Sequence, residues 1–186
     1  MLTALRHLDF LLVQKGVAWT SSSSLHQLLV YLGADVLLLL FPLILLYLWQ
    51  NPEGRTRKHG NQKAVIIALV SVVAALAIKE VISLLWLRDR PFVTHPELSY
   101  LALRVDPASF PSGHTLVAFA IASSIYFSGY RRFGFWMLIG ATIVAICRVM
   151  AGVHYPSDVI AGALIGVVTS WVLHHESSAL RRYLPN

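Results

Sequence analysis

Long apolar runs separated by short polar segments dominate the sequence. There are five of them, at 27–49, 64–87, 113–129, 134–151 and 157–174. Each holds about 20 residues, enough for a helix to cross the hydrocarbon core of a bilayer. Gly162 and Gly166, four residues apart in the last run, indicate a face for close helix packing. The pattern predicts an all-α integral membrane protein built as a bundle of about five transmembrane helices.

The N-terminal segment follows a different pattern. Apolar side chains recur there at helical spacing, with polar residues between them: Leu2, Leu5, Leu8 and Leu12. This pattern is typical of an amphipathic helix in the membrane interface, with the contrast between its faces weakened by neighbouring apolar residues. The serines at 21–24 break this helix and cap the first span. We therefore expect one domain over 1–186, with an interfacial helix at 1–22 and the bundle at 23–186.

Composition supports this class. Hydrophobic residues make up 56% of the sequence and charged residues 13%, and the mean hydropathy is +0.65. Such a chain has too little polar surface to cover a soluble globule. The formal net charge of +6 comes from basic residues in short loops rather than along one soluble face, so we expect no nucleic-acid partner.

The basic residues also orient the chain. They follow the first, third and fifth runs, as Arg55, Arg57, Lys58 and Lys63, then Arg131 and Arg132, then Arg181 and Arg182. By the positive-inside rule these segments are cytoplasmic. The 88–112 loop and the 152–156 turn then face outward, on the same side as the N-terminus. This orientation rests on eight charges, and it puts Arg90, His114, Arg148 and His154 on the outer side.

The third run opens with Pro111-Ser112-Gly113-His114. Ser112 is a natural N-cap, and Gly113 leaves backbone N–H groups open to a ligand. A helix N-terminus of this kind attracts phosphate. An ordinary helix N-cap is a sufficient explanation for the proline, serine and glycine alone. His114 adds a titratable side chain that an N-cap does not need, so the motif favours a phosphate site.

Three further polar residues lie around the turn between the last two runs. Arg148 is costly in an apolar helix unless it faces a polar cavity. Gly152 can end its helix and Pro156 can start the next, so that the turn brings His154 back toward Arg148. Asp158, four residues after His154, can accept the hydrogen bond that fixes one imidazole nitrogen and leaves the other free to attack.

Arginines near the end of the second run complete the candidate site. Arg90, followed by Pro91, can grip two phosphate oxygens with its planar guanidinium. Arg88 and Arg104 either add positive potential in the outer loop or contact lipid headgroups.

These residues together carry a resemblance to a known family. The arginine-proline pair, then Pro-Ser-Gly-His, then Arg, five residues, His, three residues and Asp resembles the three-part signature of the phosphatidic acid phosphatase type 2 superfamily, over about residues 79–158. That superfamily includes membrane lipid phosphatases and vanadium haloperoxidases. The small size and short loops look most like its bacterial undecaprenyl pyrophosphate phosphatases.

The resemblance implies a phosphatase that uses no metal or cofactor. His154 would be the nucleophile that forms a phosphohistidine, Asp158 would orient it, and His114 would protonate the leaving group. Arg90, Arg148 and the Ser112 and Gly113 amides would stabilise the transferring phosphoryl group, which requires positive donors around its oxygens.

The chain departs from the signature at two positions. The family's first motif usually has a lysine where this chain has Ser83, and its third usually opens with serine where this chain has Cys147. Lys79 lies one helical turn before Ser83 on the same face, so we expect it to replace the missing lysine at the phosphate site. The alternative is that Lys79 pairs with Glu80 or Asp35. These two acids either support the site or tie helices together, and we favour the second interpretation.

Three functions remain open at this stage. The first is hydrolysis of undecaprenyl pyrophosphate to its monophosphate for cell-wall carrier recycling, at the outer face of a bacterial plasma membrane. The second is a phosphatidylglycerophosphate or phosphatidate phosphatase, because the same chemistry serves any accessible lipid phosphate. The third is a non-catalytic protein that binds or transports an anionic lipid. Membrane lipids are expected partners in each case, and the sequence indicates no oligomeric state.

Overall fold

The structure is a computed structural model that describes residues 2–50, 55–98, 101 and 108–183, with side chains described at all of these except 2–3, 55–59 and 177–183. Arg104 lies outside the described residues, as do the side chains of Arg55, Arg57, Lys58, Arg181 and Arg182. The described residues form helices and connecting turns. This confirms the predicted all-α class.

The helices follow one another in this order: α1 (Leu2–Ser21), α2 (Ser24–Tyr31), α3 (Leu37–Gln50), α4 (Arg55–Leu85), α5 (Pro91–Thr94), α6 (Gly113–Phe127), α7 (Arg131–Met150) and α8 (Pro156–Tyr183). A π-helical turn, Leu32–Val36, joins α2 to α3, so that Ser24–Gln50 is one continuous helical rod of 27 residues. Pro42 lies inside α3 and interrupts the backbone hydrogen bonding of that helix.

Four segments are long and apolar enough to cross a membrane: Ser24–Gln50, Gly60–Leu85, Arg131–Met150 and Pro156–Glu176. The third predicted span, α6, is shorter at 15 residues, or about 22 Å. It is the central helix, with nine buried residues, and it packs between α4, α7 and α8. Because protein rather than lipid surrounds α6, its start at Gly113 can lie below the membrane surface.

The N-terminal helix α1 has two distinct faces. Leu5, Leu8 and Leu12 are exposed, whereas Asp9, Val13 and Val17 are buried at a spacing of four residues. The buried face packs on α7 and α8, where the Cα of Met150 comes within 3.1 Å of where a Cβ on Gly16 would lie. The helix therefore forms where the sequence predicts it and ends at Ser21. It also belongs to the bundle, because its buried face contacts α7 and α8. Its placement in the membrane interface stays a prediction.

Close packing of α8 on α6 fixes the start of α6. A Cβ on Gly162 would lie 2.6 Å from the carbonyl oxygen of Ser112, and one on Gly166 would lie 2.6 Å from that of Leu116. Both contacts are closer than any side chain allows, so the two glycines form the packing face that the sequence indicates. A core between α3, α4, α6 and α7 fills one half of the bundle, and the candidate site lies at the other end.

Candidate active site

The turn between α7 and α8 carries His154 into the interior. Gly152 has a positive φ of 74°, which ends α7, and Pro156 is the first residue of α8. His154 is 2% exposed, and its Nε2 lies 3.3 Å from Nη1 of Arg90. The same Nη1 donates to the carbonyl of Val153 at 2.9 Å, so the turn holds the arginine beside the imidazole.

The other imidazole nitrogen fixes the tautomer of His154. Nδ1 lies 2.8 Å from the backbone carbonyl oxygen of Ser109. Because a carbonyl only accepts, Nδ1 carries the proton and Nε2 keeps its lone pair. Burial, together with the cationic Arg90 and Arg148, lowers the pKa of His154 to about 4, while Asp158 opposes this shift. At neutral pH the imidazole is uncharged, with the lone pair of Nε2 beside Arg90.

Asp158 acts on His154 through Ser109 rather than by the direct hydrogen bond that we expected. Its Oδ2 lies 3.8 Å from Nδ1 of the imidazole, too far for that bond. The buried carboxylate accepts instead from Ser109 Oγ at 2.5 Å, Tyr155 N–H at 2.9 Å and Arg88 Nη1 at 2.6 Å. The loop before α6 places Ser109 between Asp158 and His154. Its hydroxyl donates to the Asp158 carboxylate, and its backbone carbonyl accepts from the His154 imidazole.

Arg88 points into the protein rather than toward lipid headgroups. Its Nη2 donates to Asp9 at 2.9 Å, its Nη1 donates to Ser157 Oγ at 2.6 Å, and its guanidinium lies 4.1 Å from the centre of the Tyr155 ring. Asp9 also accepts from the backbone N–H and the hydroxyl of Ser157, at 3.1 and 2.5 Å. Arg88 therefore bridges two carboxylates, Asp9 on α1 and the buried Asp158.

Arg148 lies on the other side of the site and is paired with an acid. It is 1% exposed, and its Nη1 donates to Asp35 Oδ1 at 2.8 Å. The same Oδ1 lies 3.5 Å from Nε2 of His114, whose side chain is 37% exposed. Asp35 thus ties helices together, as we interpreted it, and the helices that it ties are the two that carry His114 and Arg148.

The start of α6 presents its backbone to this space. Ser112 is the N-cap residue, but its backbone N–H donates to the carbonyl of Asp158 at 3.1 Å and is not open to a ligand as expected. Its buried hydroxyl accepts from Thr115 at 3.1 Å. The N–H groups of Gly113 and His114 follow it in the first helical turn, where no intrahelical acceptor exists. The open backbone N–H groups of α6 therefore begin at Gly113 rather than at Ser112.

Lys79 reaches this helix start while also pairing with Glu80. Its Nζ donates to Glu80 Oε1 at 2.8 Å, so the pairing that we considered as an alternative is present. Its side chain is nevertheless buried, and its Cε would lie 3.5 Å from a Cβ on Gly113. Ser83, at the family's lysine position, donates instead to the carbonyl of Phe110 at 3.1 Å. Lys79 thus runs alongside the open end of α6.

Sequence reasoning missed Ser109 and Asp9. Serine is common in loops, and Ser109 contributes through a backbone carbonyl that no residue type reveals. Asp9 sits among the polar residues of an amphipathic helix, where solvent exposure is the ordinary expectation. An acid beside the strongly apolar Phe10, Leu11 and Val13 was the available signal.

Comparisons with known proteins agree with this geometry. A family model described as the PAP2 superfamily matches residues 64–182, which include each motif residue of the site. The undecaprenyl-diphosphatase BcrC of Bacillus subtilis is 29% identical over 163 residues, covering 88% of this chain and 80% of that protein. Among solved structures, Aquifex aeolicus LpxE superposes with a TM-score of 0.63 at 25% identity, covering 91% of this chain and 94% of that one.

A second solved structure supports the fold. The PAP2 type phosphatidylglycerolphosphate phosphatase of Bacillus subtilis gives a TM-score of 0.64 at 20% identity, over 97% of this chain and 90% of that one. The family match covers more than half of the chain, and its motifs converge on one buried histidine with two arginines beside it. The chain therefore belongs to the PAP2 superfamily, as a multi-pass helical membrane phosphatase.

Proposed function

We propose that this phosphatase hydrolyses undecaprenyl pyrophosphate to undecaprenyl phosphate and inorganic phosphate, through a phosphohistidine on His154 and without a metal ion. The observation that carries the chemistry is the state of His154. Its Nδ1 is held by the Ser109 carbonyl, its pKa is about 4, and its unprotonated Nε2 faces Arg90 at 3.3 Å. A neutral imidazole fixed at one nitrogen is a competent nucleophile at the other.

The reaction proceeds in two balanced steps. Nε2 of His154 bonds to the terminal phosphorus as the bond from phosphorus to the bridging oxygen breaks, and His114 gives that oxygen a proton. A water molecule then attacks the phosphohistidine and returns a proton to His114, which releases inorganic phosphate and restores Nε2. Arg90, Arg148 and the Gly113 N–H supply positive charge to the phosphoryl oxygens during both steps.

Lys79 belongs to this set in our proposal. Its stem lies along Gly113, and its ammonium is one long side chain away from the helix start. A Lys79→Met variant should raise KM for the lipid substrate. Glu80→Gln is the matched control, because it breaks the ion pair between them but leaves the ammonium in place. Equal effects of the two changes, or full turnover and affinity in Lys79→Met, would assign Lys79 to the ion pair alone.

The choice of substrate is supported by the likeness to the Bacillus subtilis undecaprenyl-diphosphatase, which extends over most of both chains. A phosphatidylglycerophosphate or phosphatidate phosphatase is the second candidate. The fold likeness to the phosphatidylglycerolphosphate phosphatase favours it, because the same nucleophile and acid serve a phosphomonoester. Binding or transport without catalysis is the weakest candidate, since a site that only holds an anion needs no histidine fixed in one tautomer.

Phosphate release by the purified protein in detergent with EDTA tests the proposal. Undecaprenyl pyrophosphate, phosphatidylglycerophosphate and phosphatidate are compared for wild type, His154→Ala and His175→Ala, the last being an exposed histidine stacked on Trp171. We expect release that survives EDTA, is lost only in His154→Ala and is fastest with the pyrophosphate. A different substrate order would move the function to the second candidate, and no release from any lipid would move it to binding.

The proposed site faces outward, at a bacterial plasma membrane. In sealed vesicles of known orientation, an added impermeant phosphate analogue such as vanadate should inhibit only where the 88–112 loop is outside. Inhibition of the opposite population would reverse the topology.

A further inference from the structure

The π-helical turn places an unusual charge in the candidate site. Asp35 is the only Asp, Glu, Lys or Arg residue between Ser24 and Gln50, and the rest of this segment is apolar enough to cross a membrane. A carboxylate there is costly unless it has partners and a function. Leu32–Val36 forms the π turn, closed by a hydrogen bond from the Leu37 N–H to the Leu32 carbonyl. Turns of this kind are rare and often occur at functional sites.

Close packing beside Asp35 holds it against α7. A Cβ on Gly33 would lie 2.4 Å from Sγ of Cys147, so only glycine allows this approach. Cys147 immediately precedes Arg148, so this contact lies next to the arginine that pairs with Asp35.

The carboxylate contacts its neighbours through one oxygen. Oδ1 takes the Arg148 Nη1 hydrogen bond at 2.8 Å and lies 3.5 Å from Nε2 of His114. Oδ2 is buried and has no hydrogen-bond partner among the described residues. A carboxylate serving only to join helices would be expected to use both oxygens. Asp35 is instead turned so that one oxygen meets the arginine and the histidine together.

His114 has positive groups near it. It lies in the first turn of α6, at the positive end of the helix dipole, and the cationic Arg148 is beside it. A general acid must nevertheless carry a proton to the leaving group. Among the described residues, Asp35 is the carboxylate that faces this imidazole.

We propose that Asp35 is a positioning residue for leaving-group protonation, which rests on the proposed phosphatase function. It holds Nε2–H of His114, balances the charge of the protonated imidazole, and leaves Nδ1–H to be donated to the leaving-group oxygen. When that proton departs with the oxygen, the imidazole stays neutral with Nε2–H on Asp35, and the attacking water restores the proton to Nδ1. The logic is that of an acid and histidine pair in which the carboxylate orients without itself being protonated.

This residue lies outside the segment that matches the family, which begins at residue 64. A motif search therefore does not find it. The structure finds it because α6 begins and α7 ends beside the π turn.

Leaving groups that differ in their need for a proton test the proposal. Two phosphomonoesters with the same alkyl tail are compared, one an alkyl phosphate and the other an alkylated nitrophenyl phosphate, whose phenolate leaves without a proton. The parameter is kcat/KM, which reports bond cleavage to the leaving group even where phosphohistidine hydrolysis limits kcat. Wild type, Asp35→Asn, His114→Asn and the double variant are measured, with Glu97→Gln as the control that disrupts an exposed acid and histidine pair.

We expect Asp35→Asn to lose about 10- to 100-fold in kcat/KM on the alkyl phosphate and only a few fold on the nitrophenyl ester. His114→Asn should show the same preference, and the double variant should be no slower than His114→Asn alone. Glu97→Gln should match wild type on both. If Asp35→Asn does not fold, as judged by thermal unfolding, Asp35→Ser takes its place.

Equal losses on both esters would overturn the inference, because a structural role or an effect through Arg148 slows every substrate alike. Full activity of Asp35→Asn on both esters would also overturn it. In either case wild-type turnover leaves the proposed function standing. If wild type cleaves neither these esters nor any of the lipids, the proposed function falls and the inference with it.

Discussion

Arg88→Met should destabilise the fold through two carboxylates that lie far apart in the sequence. Arg88 bridges Asp158 Oδ1 at 2.6 Å and Asp9 Oδ2 at 2.9 Å. The side chain of Asp158 is 0% exposed and that of Asp9 is 5% exposed, so water cannot replace the guanidinium at either acid. Methionine keeps most of the volume and removes the charge.

The size of the expected loss in the free energy of unfolding depends on how deeply the two ion pairs of Arg88 are buried. Breaking a fully buried ion pair costs about 3–5 kcal/mol, and breaking a surface pair costs about 0–1 kcal/mol. The side chain of Arg88 is 22% exposed, while both acids keep other donors, from Ser109 and Tyr155 at Asp158 and from Ser157 at Asp9. We therefore expect a loss of about 2–3 kcal/mol in the free energy of unfolding.

Chemical denaturation in detergent micelles measures this loss, with Arg6→Met as the matched control. Arg6 is an exposed arginine on α1, and its removal should change the free energy of unfolding by less than about 0.5 kcal/mol. The double variant Asp9→Asn with Arg88→Met should recover about 1 kcal/mol, because one of the two stranded charges is gone. Phosphatase activity should fall in both Arg88 variants, since Asp158 loses its cation.

Two results would refute this reasoning. One is an Arg88→Met protein within about 0.5 kcal/mol of wild type, which would mean that the bridge contributes nothing net. The other is a double variant no more stable than Arg88→Met. That result would mean that an unpaired charge on Asp9 does not contribute to the loss of stability.

Three further predictions concern the site and its packing. Because the proposed nucleophile is neutral His154 and its pKa is about 4, kcat/KM should stay constant from neutral pH to roughly pH 5 and fall as the pH passes through about 4. In the unfolded chain His154 takes up a proton below about pH 6.5, whereas in the folded protein it does so only near pH 4. The free energy of unfolding should therefore fall as the pH falls from about 6.5 to about 4, which thermal unfolding measures. Gly162→Ala should cost about 1–3 kcal/mol in thermal unfolding and reduce activity, because its Cβ would lie 2.6 Å from a backbone oxygen at the start of α6. Ser109→Ala keeps the carbonyl that holds the imidazole but removes the 2.5 Å bond to Asp158, and we expect about a tenfold loss of kcat.

Each of these has a result that contradicts it. An acid limb near the ordinary histidine pKa of about 6.5 would show that the nucleophile is not buried and neutral as described. Gly140→Ala, where the nearest atom would be 3.7 Å away, is the control for Gly162→Ala, and equal effects of the two would rule out the close contact as the cause. Full turnover in Ser109→Ala would show that Asp158 orients His154 without the serine hydroxyl.

Much of the site was predictable because its residues are out of place in apolar helices. Arg148 and His154 have no role in a lipid-facing segment, and the alternation of basic loops assigns both to one side of the membrane with Arg90. The spacing of the motifs then identifies the family. The sequence also predicts the turn at Gly152, since glycine there can adopt the positive φ that ends α7.

The remaining features depend on tertiary contacts that leave no local pattern. His154 donates its hydrogen bond to a backbone carbonyl, and every residue has one. The predicted run at 113–129 extends two residues beyond α6, which ends at Phe127, and apolar composition does not distinguish a helix surrounded by protein from one surrounded by lipid. The sequence shows that Asp35 is an acid within a membrane span. It does not show which way the side chain points, because the π turn changes the face of the helix on which Asp35 lies.

The π turn at Leu32–Val36 has a consequence for how related proteins are aligned. A π turn closes its hydrogen bond over one more residue than an α turn, so it amounts to a single inserted residue. Deleting one residue there would restore α geometry and rotate the two halves of the rod by about 100° against each other. A relative without the insertion would need a one-residue gap inside a leucine-rich helix, where the sequence offers nothing to locate it. The counterpart of Asp35 in such a relative is therefore to be found by superposing structures, because a column-by-column comparison would pair Asp35 with a residue from a different face of the helix.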